Sequence, residues 1–197
     1  MNHALRPDLA IIAGHVPERA RLLDIGCGNG DLMAALRDTK NVHARGLEID
    51  PANVASAMAR GLSVVQGDSD TDLADYPDNA FDYAILSQTL QTTRAPDAIL
   101  GELLRIAPRA FVSFPNFAYW RVRASLAFGG RMPVTGALPL SWYATENIHH
   151  LTIDDFRALV GEQGIAAEQA WYLSGNRQRS AAAANLLAEQ AVFLLGR

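Results

Sequence analysis

"LLDIGCGNGDL", residues 22–32, alternates three glycines with Cys27 and Asn29 directly after a short apolar run, and Asp24 stands just before the turn. The run "ARLLDI" (20–25) has the length and continuity of a buried strand, and "DLMAALRD" (31–38) reads as the helix that follows. A glycine turn between a strand and a helix is where a ligand can approach the main chain. Gly26 and Gly28 permit torsions that side chains forbid. The same spacing serves dinucleotides, so the turn alone does not name its ligand.

Outward from this turn, strand and helix alternate. "VHARGLEI" (42–49) reads as a second strand. "PANVASAMARG" (51–61) reads as a helix with Pro51 at its first position and Gly61 as its stop. "LSVVQG" (62–67), "FDYAILS" (81–87) and "AFVSF" (110–114) read as three more strands, with "PDAILGELLRI" (96–106) a helix before the last. Such alternation predicts a parallel sheet covered by helices on both faces. Residues 115–151 then lose any simple period, as expected of an irregular lid. Thr152 and Asp155 form a capping box before "FRALVGEQG", and "AAEQAWYL" and "EQAVFLLG" supply two last strands. The expectation is one Rossmann-like α/β domain over 1–197, with a seven-stranded, mostly parallel sheet and a lid after strand five.

Composition narrows the classes. Hydrophobic residues make up 49% of 197, enough for a sizeable core. No apolar run approaches the roughly 20 residues of a membrane span. The N-terminus lacks the pattern of a signal peptide, and Cys27, the only cysteine, allows no intrachain disulfide. A soluble cytoplasmic protein is expected, and a net charge of −4 argues against a nucleic-acid partner.

The carboxylates point to the ligand. Asp24 precedes the turn, Asp31 opens the helix, and Glu48 and Asp68 end the next two strands. In such sheets ligands bind at the carboxyl ends of the strands. A helix start normally favours phosphate, but Asp31 would repel a diphosphate. Four carboxylates around one crevice suit a ligand with a sulfonium, an ammonium and ribose hydroxyls.

Asp24-x-Gly26-x-Gly28-x-Gly30, Glu48 and "GDSD" (67–70) resemble the cofactor motifs of class I S-adenosylmethionine (SAM) methyltransferases. The resemblance implies that Gly26, Cys27, Gly28 and Gly30 lie under the methionine part of SAM or S-adenosylhomocysteine. It implies that Glu48, with Ile49 next to it, takes the ribose hydroxyls. Asp68 would accept from the adenine amine with Ser69 beside it, and Ser87 and Gln88 would face the cofactor. A second resemblance spans nearly the whole chain. "ILSQTLQTTRAPDAILGELLRIAPRAFVSFPNFAYWRVR", "GRMPVTGALPLSWY" and "NIHHLTIDDF" are similar to the MetW family of methionine biosynthesis. Glu146 departs from that family, which carries proline before "NIH". This resemblance implies a partnership with a homoserine O-acyltransferase, MetX.

Other residues carry plainer expectations. Cys27 reads as a small filler, not a nucleophile. Adjacent His149 and His150 have poor ligand spacing, and no metal site is expected. From Leu103 to Thr145 there are five arginines, no acid and eight of the chain's fifteen aromatics. Such a mixture is either lid core with solvated arginines, or a substrate pocket or partner face. Tyr143, His149 and His150 are the only lid candidates for a general base. Two functions therefore compete: a SAM-binding protein that supports or regulates an acyltransferase, and a SAM-dependent methyltransferase of a small molecule.

Overall fold

In a computed structural model, which describes residues 5–197, the glycine turn leaves the middle of the sheet. Strand β1 (Arg21–Ile25) pairs in parallel with β2 (His43–Glu48) on one side and β4 (Tyr83–Ser87) on the other. Leu22, Leu23 and Ile25 are wholly buried, as a strand covered on both faces requires. The chain runs from β2 to β3 (Ser63–Gln66) and then crosses back over β1 to β4. That reversal makes the carboxyl end between β1 and β4 a topological switch point, where sheets of this kind open a crevice.

Beyond β4 come β5 (Arg109–Pro115), then β8 (Gln190–Gly196), β6 (Ala166–Ser174) and β7 (Arg177–Gln178), giving the order β3-β2-β1-β4-β5-β8-β6-β7. The first five strands pair in parallel and the last three antiparallel. Eight strands replace the seven expected. The extra one is the two-residue return arm of a hairpin from β6, turning at Gly175, whose φ is +55°. It is too short and too polar to show as an apolar run.

Helices α1 (Pro7–His15) and α2 (Asp31–Lys40) pack one face through Leu9, Ile12, Leu32 and Leu36 against Leu22, Ile85 and Phe111. Helix α3 (Pro51–Ala59) adds Ala57 against Met33 and Ala34 of α2, and Asp50 caps it by accepting from Ala52 N at 2.9 Å. On the other face lie α5 (Pro96–Ile106) and α7 (Ile153–Glu162), with the short α4 (Ser69–Asp72) at the end of β3. The expected Thr152–Asp155 capping box is present in both directions. Phe156 of α7 packs at a tilt against Phe114 and Phe193 of β5 and β8, at ring centroids of 4.7 and 4.8 Å. Such aromatic pairs add about 0.5–1.5 kcal/mol to their area burial. Helix α1 was not expected from the sequence, and it matters for the site.

The lid leaves β5 and returns at α7, and one buried residue fastens both ends. Asn116 donates to Asn185 O at 3.0 Å and Ala188 O at 2.8 Å, and accepts from Ala118 N and Ile153 N. Asn185 lies in the short α8 (Ala184–Leu187). The lid itself begins as α6 (Trp120–Ala124), widens to a π-helical turn over Ser125–Gly129, and packs a small core of Tyr119, Val122 and Leu138. Two of the five arginines turn out to lie outside it. Arg105 of α5 pairs with Asp78 and Glu102, and Arg109 of β5 pairs with Glu168, so acids distant or just outside the stretch satisfy both.

Candidate functional site

The crevice at the switch point is lined by two contiguous cavities of about 450 and 300 Å³. They meet at Gly26, Ile49, Thr89, Thr92 and Glu146. The first holds Asp24, Asp31 and Glu48, and the second holds Asp68, so the four carboxylates do converge on one crevice. Two of them are partly balanced: Asp31 pairs with Arg60 at 2.8 Å, and Arg94 stands 3.9 Å from both Asp68 and Asp70. The acidic character therefore rests mainly on Asp24 and Glu48.

The glycine turn is built for close approach. Gly26 N donates to Leu47 O at 2.8 Å, which bends the chain sharply after β1. Gly26, Gly28 and Gly30 all have φ between +55° and +80°, a region hostile to side chains. A side chain on Gly26 would strike Thr89, whereas one on Gly28 would meet nothing within 4 Å. Gly28 is thus bare toward the cavity. Gly30 does not line the crevice; it caps α2 and makes room for Leu62. Cys27 fills a slot opened by Gly46, where a methyl would lie 2.6 Å from its sulfur. Burial, then Asp24 and Glu48, push its thiol up to about 12, so no thiolate exists at neutral pH.

Glu48 is buried and clamps the turn. Its Oε2 accepts from Gly28 N at 2.7 Å, and its Oε1 from Asp50 N at 3.0 Å. Each carboxylate oxygen retains a further lone pair for a ligand hydroxyl. Asp24, 3% exposed, has no protein donor among the described residues. Burial raises its pKa to about 7; Arg6 opposes the rise and Glu48 adds to it.

Sequence reading missed the residues that α1 brings. Asp8 is buried and accepts from Ser87 Oγ at 2.8 Å and Ser113 Oγ at 2.9 Å. Arg6 donates to Ser87 Oγ at 2.9 Å and lies 3.3 Å from Asp8. The Ser87 hydroxyl is therefore committed to this network, although Ser87 lines the crevice. Gln88 also lines it, with φ +56°, a strained torsion for a non-glycine residue, held by Ser113 O at 2.9 Å and Gln190 at 3.1 Å. At the other end Asp68 caps α4 by accepting from Asp70 N, and Ser69 lies beside it in the smaller cavity. Ile49 lines both halves.

A third cavity of about 660 Å³ lies under the lid and shares Arg6, Gln88, Thr92 and Glu146 with the crevice. His150 lines it and packs edge-on against Phe117 at 4.4 Å. Tyr143 points to solvent, 76% exposed, and His149 lines a separate apolar hollow with Leu90 and Phe156. The three lid candidates for a base are thus not brought together. Among the described residues no cluster of three metal-ligating side chains occurs.

This fold and crevice define the class: the chain has the class I SAM methyltransferase fold. It superimposes on a SAM-dependent methyltransferase of Archaeoglobus fulgidus with a TM-score of 0.71 at 14% identity, covering 96% of this chain and 91% of that one. A Mesorhizobium loti S-adenosylmethionine-dependent methyltransferase gives 0.70 at 17%, covering 97% and 98%. The [4+2]-cyclase SpnF gives 0.69 at 19%, covering 96% and 80%, so the fold does not by itself dictate methyl transfer. Residues 6–195 match the family model described as methionine biosynthesis protein MetW, and the chain belongs to that family. A curated relative, the bifunctional methionine biosynthesis protein MetXA/MetW of Rhodopirellula baltica, is 35% identical over 163 residues. That match takes in 78% of this chain and 26% of the relative, so the chain spans about a quarter of that protein's length.

Proposed function

We propose that the protein binds SAM or S-adenosylhomocysteine in the crevice and, in the cytoplasm, supports or regulates a homoserine O-acyltransferase partner. The observation that carries the cofactor reading is the unpartnered, buried Asp24 beside the bare Gly28, with Glu48 beneath. These residues fit the group. Asp24 would face the cationic methionine end, Gly28 would let it lie against the main chain, and Glu48 would hold the ribose hydroxyls. Asp68 and Ser69 would meet the base in the smaller cavity. When bound, SAM supplies an electrophilic methyl group; the chain's own residues bind and orient.

The partner reading is supported by the fused MetXA/MetW relative, whose name joins the two activities in one polypeptide. The lid supplies a suitable face: Phe128 and Trp142 are 92% and 72% exposed, near the arginines 121, 123 and 131 in sequence. Exposed aromatics with Arg are interface-like. Regulation requires SAM to bind the free and complexed states with different affinity. Co-expression with the acyltransferase, followed by co-purification and activity with and without SAM, tests this. Failure to associate, with the acyltransferase equally active alone, would remove the partner reading. The cavity under the lid also favours a second reading, methyl transfer to a small acceptor. Labelled methyl appearing on an acceptor would establish it.

A further inference from the structure

The two halves of the crevice meet at a single charged side chain. Gly26, Ile49, Thr89, Thr92 and Glu146 line both halves, and Thr92 and Glu146 also line the cavity under the lid. Of these five only Glu146 is charged, and only Glu146 comes from the lid; it is exposed. The guanidinium groups in these walls are directed elsewhere. Arg6 donates to Ser87 and lies 3.3 Å from Asp8, and Arg94 stands 3.9 Å from both Asp68 and Asp70. Glu146 thus has no ion-pair partner among the described residues. The backbone around it is tied down. Ala144 N and Thr145 N donate to Ser141 O at 3.0 and 3.1 Å, and Asn147 N donates to Thr145 Oγ1 at 3.1 Å. Ile148 N and His149 N donate to Gln91 O at 2.9 and 3.0 Å. Residues 141–149 therefore form a strap, with Trp142 and Tyr143, 72% and 76% exposed, near one end and Glu146 at the junction of the crevice.

A ligand that fills both halves crosses this junction with its middle. In SAM the middle carries the sulfonium, a fixed positive charge; in S-adenosylhomocysteine it is a neutral thioether. The two ligands share their ammonium, carboxylate, ribose and base, so a free carboxylate at the junction acts on the one charge that differs. We infer that Glu146 makes the lid a reader of that charge. It holds the strap onto the crevice when the sulfonium is present and leaves the strap loose over the thioether. The inference rests on the cofactor reading and deepens it by naming which form of the ligand the lid answers to. The strap also carries Trp142 and Tyr143 of the exposed lid face, so the crevice and that face share one tied piece of backbone. Such a link supplies the difference in SAM affinity between free and complexed protein that regulation requires.

The test is calorimetry on the full chain, parent and Glu146→Gln, with SAM and with S-adenosylhomocysteine. Gln keeps the shape and removes the charge. SAM should bind the variant about three- to fivefold more weakly, the upper range for a solvent-exposed ion pair, and S-adenosylhomocysteine less than about twofold more weakly. In about 1 M salt, where the Debye length is about 3 Å, the two effects should converge. Hydrogen exchange at saturating ligand reads the strap itself. In the parent, the amides of Ala144, Thr145, Ile148 and His149 should exchange about three- to fivefold more slowly with SAM than with S-adenosylhomocysteine, because the strap gains in closure what the ligand gains in affinity. In Glu146→Gln they should exchange alike with both. Unchanged SAM affinity in the variant, or equal weakening of both ligands, would overturn the inference and leave the cofactor reading standing. Equal strap exchange under the two ligands in the parent would overturn it in the same way. Binding of neither ligand to the parent would remove both.

Discussion

Replacing Asp24 by Asn should stabilise the ligand-free protein above neutral pH while weakening its ligand. Burial lifts this carboxyl from 3.8 to about 7. Between those values the folded chain holds a proton that the unfolded chain has released. Stability therefore falls as pH rises from about 4 to about 7 and is level above that. The gap, about 7 minus 3.8 or roughly 3, corresponds to at most about 4 kcal/mol at 1.36 kcal/mol for each unit of pH. Water in the open cavity screens part of this, so about 2 kcal/mol is expected. Asn keeps the shape and removes the charge. Asp24→Asn should then gain about 2 kcal/mol at pH 8 and close to nothing at pH 4, or roughly 4–8 °C in Tm for a domain of this size. Urea unfolding of both proteins at the two pH values reads the difference directly. In the same variant a cationic ligand loses its carboxylate, and SAM affinity should drop at least about tenfold. Equal stability of variant and parent at pH 8 would show that Asp24 is not an uncompensated buried acid.

Glu48→Ala should weaken SAM by at least about tenfold and also loosen the turn, because it frees the amides of Gly28 and Asp50; unchanged affinity with an intact fold would remove Glu48 from the ribose site. Gly46→Ala should cost about 1–3 kcal/mol by pressing on the Cys27 sulfur first and on Met33 and Val64 after it, and Cys27→Gly in the same chain should recover part of it, measured by thermal unfolding. Absence of rescue would refute the filler role of Cys27. Arg121→Glu with Arg123→Glu should weaken the acyltransferase complex, most clearly at low salt, in a binding assay across ionic strengths.

The first five strands and their helices were legible because each is a local pattern: apolar runs ending in turns, and caps such as Thr152 with Asp155. The crevice carboxylates were legible because strand ends are positions a sequence can count. Helix α1 was not, since its apolar residues follow no helical stripe and its Asp8 occupies a buried place. That place makes sense only through Ser87 and Ser113, 79 and 105 residues away. Arg6 entered the site unannounced for the same reason, since it comes with α1. The arginines 105 and 109 misled in the opposite way, because their acids are Asp78 and Glu168, far off in sequence, as well as Glu102 just outside the stretch read. Exposure of Trp142 and Tyr143 likewise depends on how an aperiodic lid folds back, which no local pattern encodes.

Titration of the purified protein with S-adenosylhomocysteine and, separately, with NAD distinguishes a SAM crevice from a dinucleotide site. Both carry an adenosine, but only NAD brings a diphosphate to the glycine turn. Asp24 unpaired at that turn, with Glu48 beneath it, disfavours the diphosphate. Calorimetry should show S-adenosylhomocysteine binding at one site per chain, weakened at least about tenfold in Glu48→Ala, with no binding of NAD. NAD binding without S-adenosylhomocysteine binding would show that the crevice is not a SAM site.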